Sequence, residues 1–203
     1  MNEQHQIRQE IYGLLAHLFR SAPEQALVDW LITIETEESD THGMSQAWNQ
    51  LVKAAEKSST EATLEKLEDE YQNLFIGIGR GEVMPFGSWH VAGALMEKPL
   101  VALRQDLMQL GFERAEDVKE PEDHISALCE VMAMLIEAGD AEVLQQRFFN
   151  RHIQPWYVSL CEQINNAENA DFYKSVACLA EAFFSVEQTR FAKNPNAIEV
   201  TEV

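Results

Sequence analysis

The sequence predicts an all-α fold: a single helical-bundle domain of roughly nine to eleven helices over residues 1–190, with a flexible tail at 191–203. Three observations predict it. Apolar residues recur at the three-to-four-residue spacing of a buried helical stripe along almost the whole chain. Only 9 Gly and 6 Pro punctuate 203 residues, too few for a many-stranded sandwich. No stretch reads as a strand, and no internal repeat is visible. With 46% hydrophobic residues the chain has enough apolar mass for a substantial core.

Ile7, Ile11, Leu14, Leu15 and Leu18 form the stripe of a first helix, about residues 3–20. Pro23 is placed to open a second, with Leu27, Val28, Leu31 and Ile34 inward. That helix dissolves into the polar stretch from Glu35 to Gly43. Trp48, Leu51, Val52 and Ala55 mark a short third helix. Ser58 with Glu61 reads as a capping box for the fourth, whose inward positions are Leu64, Leu67, Tyr71, Leu74 and Phe75. Four glycines and Pro85 make Gly77 to Ser88 a loop. Helix returns after it, interrupted near Pro99 and stopped at Gly111. A charged linker, Glu113 to Lys119, follows. Pro121 is expected at the first position of a strong helix carrying Ile125, Leu128, Cys129, Met132, Leu135 and Ile136, ended at Gly139. Three more helices are expected at about 140–151, 154–166 and 170–190, and the tail lacks periodicity.

Charge excludes one large class of function. With 34 acidic against 15 basic side chains and a formal net charge of −19, the chain repels phosphate backbones, so nucleic acid is not its partner. A basic peptide would be attracted, with salt weakening the attraction; acidity that serves solubility alone is the plainer alternative. Cys129, Cys161 and Cys178 are widely spaced and odd in number, which fits a reducing compartment and no disulfide framework. The start, MNEQHQIRQE, has neither the basic opening nor the apolar run of a signal peptide. Apolar runs such as Val131 to Ile136 are far shorter than the roughly 20 residues that span a bilayer. The expectation is a cytoplasmic protein without stable membrane insertion.

Catalytic patterns fail one by one. Gly77-Ile78-Gly79-Arg80-Gly81 lacks the P-loop spacing and its terminal Lys, and it follows a helix instead of a strand. A dinucleotide fingerprint fails for the same reason. Ser88, with His90 or His124 as base, lacks the flanking glycines of a nucleophile elbow, because Phe86 and His90 occupy those places. The six histidines form no H-x-x-x-H pair and no zinc-spaced cluster, so no metal is expected. His17 and His152 are expected to make core or capping hydrogen bonds. No cofactor is implied, and the chain is not expected to be an enzyme.

Glu120-Pro121-Glu122-Asp123-His124 reads two ways. Pro at the first helical position with carboxylates in the first turn explains most of it as a helix start. It reads equally as a site, since His124 beside Asp123 can titrate near neutral pH or donate a hydrogen bond.

Three segments together resemble one family, the TorD/DmsD redox enzyme maturation proteins. Glu70-Tyr71-Gln72-Asn73-Leu74-Phe75-Ile76-Gly77, running to Pro85-Phe86-Gly87-Ser88-Trp89, is similar to the family's E-x-x-x-L-F-x-G … P-x-x-S segment. Glu120 to His124 matches its E-P-x-D-H motif in full. Phe148 to Trp156 is similar to its F-x-x-H-x-x-P-W stretch. Order and separation fit too, from about residue 7 to 190. The chain departs from the pattern at Ile78 and Met84, where Pro is common, and at Trp89, an aromatic directly after Ser88 with His90 in the usual aromatic place. These positions bear on the shape of the binding groove and on the client.

The resemblance implies an all-α, TorD-like chaperone that binds the twin-arginine leader, and the catalytic subunit, of a molybdenum-containing oxidoreductase until its cofactor is inserted. It implies one wall of a leader groove from Leu74, Phe75, Gly77, Pro85 and Ser88, and the other from Glu120, Pro121, Asp123 and His124. Gly79-Arg80-Gly81-Glu82 with Met96 to Leu100 resembles members associated with formate dehydrogenases, ahead of those serving trimethylamine-N-oxide or dimethyl-sulfoxide reductases. Family members occur as monomers or dimers, some by exchanging helices, and Glu113 to Lys119 is the expected hinge. Chemically, a leader with two arginines and an apolar stretch needs carboxylates beside an apolar surface. Glu120, Glu122 and Asp123 offer the first, with Asp123 or Glu120 as anchor for an arginine fork. Leu74, Phe75, Phe86 and Trp89 offer the second, provided the loop and the helix start meet in space. The spacing of Leu74 and Phe75 with Tyr71 and Leu67 is equally that of core residues. A helical interaction module with a different partner is the remaining alternative.

Overall fold

The computed structural model describes residues 3–36, 43–77, 80–115, 118–139 and 142–192. Among these the chain forms ten α-helices and no strand, as its periodicity predicts. They are α1 (Glu3–Arg20), α2 (Gln25–Ile32), α3 (Gly43–Lys57), α4 (Glu61–Tyr71), α5 (Gly87–Ala92), α6 (Lys98–Leu110), α7 (Ile125–Glu137), α8 (Glu142–His152), α9 (Tyr157–Asn166) and α10 (Phe172–Ala192). A π-helical turn, Gln72–Ile76, continues α4. The helices gather into two compact units. One holds α1 to Ala16, Phe86–Trp156 and α10 from Phe184; the other holds His17–Pro85 and Tyr157–Phe183.

In the first unit the largest buried side chains include Tyr12, Leu15, Phe148, Phe149, Phe184 and Phe191. The stripe of α1 is displaced by one residue at its start. Ile7 is half exposed, whereas Arg8 is buried. Arg8 tolerates burial because its guanidinium makes a fork to Glu187, Nε to Oε1 at 2.8 Å and Nη2 to Oε2 at 2.7 Å, and donates to Gln145 at 3.0 Å. The Tyr12 hydroxyl donates to the same Glu187 carboxylate at 3.0 Å. A buried charge is tolerable only when paired and hydrogen-bonded in this way. The helix reaches Ala192 and buries Phe191, whose carbonyl accepts from Gln146 Nε2 at 2.6 Å. The expected tail lies, from residue 193 on, outside the described residues.

In the second unit Leu18, Phe19, Leu31, Leu51, Leu74, Phe75 and Tyr173 are buried. The Phe75 ring meets Phe19 edge-on at 6.0 Å and Tyr173 edge-on at 5.1 Å. The last carbonyls of α1 lack intrahelical partners, and two tyrosine hydroxyls satisfy them: Tyr71 donates to Arg20 O at 2.6 Å and Tyr173 to Leu18 O at 2.9 Å. Glu70, the acidic residue that opens the first motif, is buried. Its carboxylate accepts the N–H groups of Asp171, Phe172 and Tyr173 at 2.9, 3.1 and 2.8 Å, closing the open N-terminus of α10.

The glycine loop is tight for a backbone reason. Gly77 donates back to Gln72 O at 2.6 Å across the π turn with φ 60°. A Cβ there would strike the Arg80 carbonyl, and one at Gly81 would strike the Leu74 carbonyl, so both places require glycine. Ile78 and Gly79 lie outside the described residues.

Several expected boundaries shift. The capping box of α4 uses Thr60 and Thr63 instead of Ser58 and Glu61: Thr63 Oγ1 accepts from Thr60 N–H at 2.9 Å. The third helix is long, not short, at 15 residues. The loop ends at Phe86, since Gly87 and Ser88 already belong to α5. The interruption expected near Pro99 is present between α5, which ends at Ala92, and α6, which begins at Lys98, and Pro99 itself lies in the first turn of α6. Pro23 precedes the N-cap Glu24 of α2, and Pro121 lies in a turn before α7, so neither occupies the first helical position. His17 is exposed, not a core residue.

Candidate functional site

The α7 start is built by tertiary contacts. His124, not Pro121, is its N-cap, and His124 Nδ1 accepts from Ser126 N–H at 3.1 Å. No carboxylate lies in the first turn of α7, so the dipole account of Glu120 to Asp123 does not hold. Those residues form a turn instead, His124 N–H donating to Pro121 O at 3.2 Å, and an antiparallel bridge pairs Phe86 with His124, their rings edge to face at 5.0 Å. The Asp123 carbonyl accepts from Gly87 N–H at 3.0 Å and its Oδ2 from Ser88 N–H at 2.7 Å. Asp123 thereby satisfies the first two N–H groups of α5. The second motif and the Phe86–Trp89 end of the first motif therefore meet, all within the first unit.

The third motif joins them. Trp156 donates from Nε1 to His152 O at 2.6 Å and stacks on His90 with ring centres 5.1 Å apart. A Cβ on Gly87 would lie 3.1 Å from Trp156 Nε1, so α5 approaches the indole as closely as glycine permits. His152 is buried and meets Asp106 Oδ2 at 2.7 Å, with Arg151 at 2.8 Å and Arg147 at 3.3 Å on the same carboxylate. Burial lowers the His152 pKa, and Asp106, shared with both arginines, does not fully restore it. A base with a depressed pKa in the native state takes up protons more readily when unfolded. Its stabilising share is present above the ordinary histidine value and lost as pH falls through the folded one. Chemical denaturation between pH 7 and 5 is expected to show falling stability in the wild type and a flatter profile in His152→Gln.

The expected site residues separate by burial. Asp123, His124 and Ser88 are buried; Phe86, Trp89, Pro121 and Glu122 are half-buried; Glu120 is exposed. Asp123 is only 3% exposed, and its Oδ2 is already taken by the start of α5. One oxygen of Asp123 and the Ser88 hydroxyl are buried without a hydrogen-bond partner among the described residues. Glu122 receives a forked Arg104, with Nε at 3.1 and 3.0 Å and Nη2 at 2.8 Å, while Arg114 stands at 3.8 Å. Leu74, Phe75, Gly77 and Pro85 belong to the second unit, where Leu74, Phe75 and Pro85 are buried. For Leu74 and Phe75 the core reading holds, and the exposed apolar residue of that segment is Ile76. Exposed apolar residues of the first unit, Val91 and Leu95 beyond Trp89 and Val101 and Met108 on α6, were not singled out from sequence. Nor were Arg104 and Asp106, whose partners are distant in the chain.

Among the described residues no cluster of His, Cys, Asp or Glu could hold a metal ion, and no helix is long and apolar enough to cross a membrane.

The chain belongs to the TorD/DmsD family of redox enzyme maturation chaperones, and it is a chaperone rather than an enzyme. A family model described as nitrate reductase delta subunit matches residues 37–162. A Haemophilus influenzae protein named "Probable Tat proofreading chaperone DmsD" is 30% identical over 83% of this chain and 84% of its own. The chaperone protein TorD of Vibrio atlanticus is 25% identical, covering 92% of this chain and 94% of its own. A solved Archaeoglobus fulgidus structure, described as a candidate redox enzyme maturation protein, has the same fold. It superposes with a TM-score of 0.56 at 17% identity over 90% of this chain and 94% of that one.

Proposed function

We propose that the chain binds the twin-arginine leader of a molybdenum-containing oxidoreductase in the cytoplasm and holds that client for cofactor insertion before export. The observation that carries this reading is the meeting of Phe86–Trp89 with Glu120–His124 through the Asp123 hydrogen bonds. It gathers half-exposed aromatic surface and outward carboxylates on one unit, the pairing that a leader with arginines and an apolar stretch requires. Asp123, Ser88 and His124 shape this surface from beneath, whereas Glu120 and Glu122 present the charge. Leu74, Phe75 and Pro85 are buried and support their own unit.

The client is a formate dehydrogenase, on the strength of Gly79–Glu82 and Met96–Leu100; a trimethylamine-N-oxide or dimethyl-sulfoxide reductase is the competing client. A net charge of −19 adds long-range attraction for a basic leader. Titration of a formate dehydrogenase leader at rising ionic strength tests this directly. Affinity is expected to fall by about tenfold between 50 and 300 mM salt, as surface charges are screened. An affinity flat with salt contradicts a carboxylate-based site, and preference for a reductase leader changes the client alone.

A further inference from the structure

Glu122 binds arginine already. Both its oxygens take the Arg104 fork, and Arg114 approaches at 3.8 Å. Beside this carboxylate, between the end of α6 and the turn that carries Glu122, lies a cavity of about 140 Å³. Its walls include a second carboxylate, Glu113, and the apolar Leu107 and Phe112. Carboxylates at the rim of an apolar wall suit one side-chain type above others: a planar guanidinium on a hydrocarbon stem. Lysine lacks the fork, and an acidic or neutral residue leaves the carboxylates unanswered.

The two intramolecular arginines are weakly held. The Arg104 side chain is 51% exposed and Arg114 is 40% exposed, against 15% for Glu122. Burial pushes the Glu122 carboxyl up, but the Arg104 hydrogen bonds and charge outweigh it and hold the group ionised below its ordinary value. Released arginines would return to water at little cost, since exposed pairs contribute about 0–1 kcal/mol.

We propose that this cavity is the subsite for an arginine of the client's leader, and that Arg104 and Arg114 occupy its Glu122 carboxylate in the free chain as intramolecular placeholders that the leader displaces. The proposal rests on the leader-binding reading above and adds to it a specificity device. A ligand must present a guanidinium to exchange for the resident one, because a peptide without it would gain nothing by opening the pair. The placeholders also keep Glu122 from standing unpaired when no client is present.

The test is calorimetry with the leader and with its double-alanine form, in which both arginines are replaced. Arg104→Ala is expected to bind the natural leader roughly two- to fivefold more tightly than wild type, the measure of one exposed pair no longer competing. The double-alanine peptide should show no such gain. Arg190→Ala removes one positive charge from α10, where it pairs with Glu142, and sets the general electrostatic effect. In the Glu122→Gln background the gain from Arg104→Ala should vanish. Thermal unfolding of each variant confirms that it is folded, and the exposed position of Arg104 predicts a midpoint near that of wild type. Unchanged or weaker binding by Arg104→Ala, a gain no larger than that of Arg190→Ala, or a gain surviving Glu122→Gln overturns the placeholder role. If wild type discriminates between the peptides and Arg104→Ala brings no gain, only this inference falls. If wild type binds neither peptide, the leader-binding reading falls and this one with it.

Discussion

Glu187→Ala is expected to lower the unfolding free energy by about 3–5 kcal/mol, measured by urea denaturation, a large share of a small protein's total stability. The cost arises in what is left behind. Arg8 is 5% exposed and Glu187 1% exposed, so removing the carboxylate strands a guanidinium in the interior. The Tyr12 hydroxyl loses its acceptor as well. Arg8 retains its bond to Gln145 and its place over the Phe191 ring at 5.6 Å, neither of which neutralises it. Glu187→Gln keeps an acceptor and the volume but not the charge, and it should fall between the two. The double replacement Arg8→Met with Glu187→Leu is expected to recover much of the loss, because burying two charges is itself expensive. A loss below about 1 kcal/mol in Glu187→Ala would show that water reaches Arg8 in the folded state.

Glu70→Ala is expected to be nearly as damaging, on the order of 2–4 kcal/mol, because it uncovers three N–H groups at the start of α10 together. Two of the three, those of Phe172 and Tyr173, belong to buried residues that water cannot readily serve. Glu70→Gln should be far milder. Burial raises the Glu70 pKa, and the three backbone bonds lower it without cancelling that effect. The ionised form is therefore less favoured in the native state than in the unfolded chain. By linkage, a carboxyl with a raised folded pKa contributes stability below its unfolded value and loses it as pH rises through the folded value. Denaturation from pH 4 to 7 should accordingly be flatter for Glu70→Gln than for wild type on the rising-pH side. A Glu70→Gln variant as unstable as Glu70→Ala would mean that the negative charge, not the hydrogen bonds, holds α10.

The helices themselves were legible in the sequence because their cause is local. Stripes at helical spacing located nearly all of them, and Gly111 and Gly139 mark stops where the backbone indeed turns to positive φ. Errors arose wherever the deciding partner was distant. Ile7 and Arg8 are adjacent, so a stripe can include either; a carboxylate 179 positions away selects the arginine. Pro121 resembles a helix opener, but it starts a turn that hydrogen bonds from α5 to Asp123 help to hold, and the helix begins only after His124. Thr60 and Thr63 form a box as readily as Ser58 and Glu61, and local sequence does not choose between them. For the site, the motif residues were found by resemblance, but their roles were not. Asp123 looks like a binding group in sequence, and in the structure it first serves a helix start, as Glu70 does at another; His152 makes the core hydrogen bond expected of it, to Asp106. Which carboxylate faces outward depends on the turn at residues 121–124, and nothing in the residues themselves fixes that turn.

The central claim is that this chain reads the two arginines of a leader. Calorimetric titration of the purified protein with a formate dehydrogenase leader, beside the same peptide with both arginines changed to alanine, tests it most directly. Binding to the natural leader and a loss of at least about tenfold for the altered one are expected, as two charge-assisted pairs require. Equal affinity for the two peptides would contradict it.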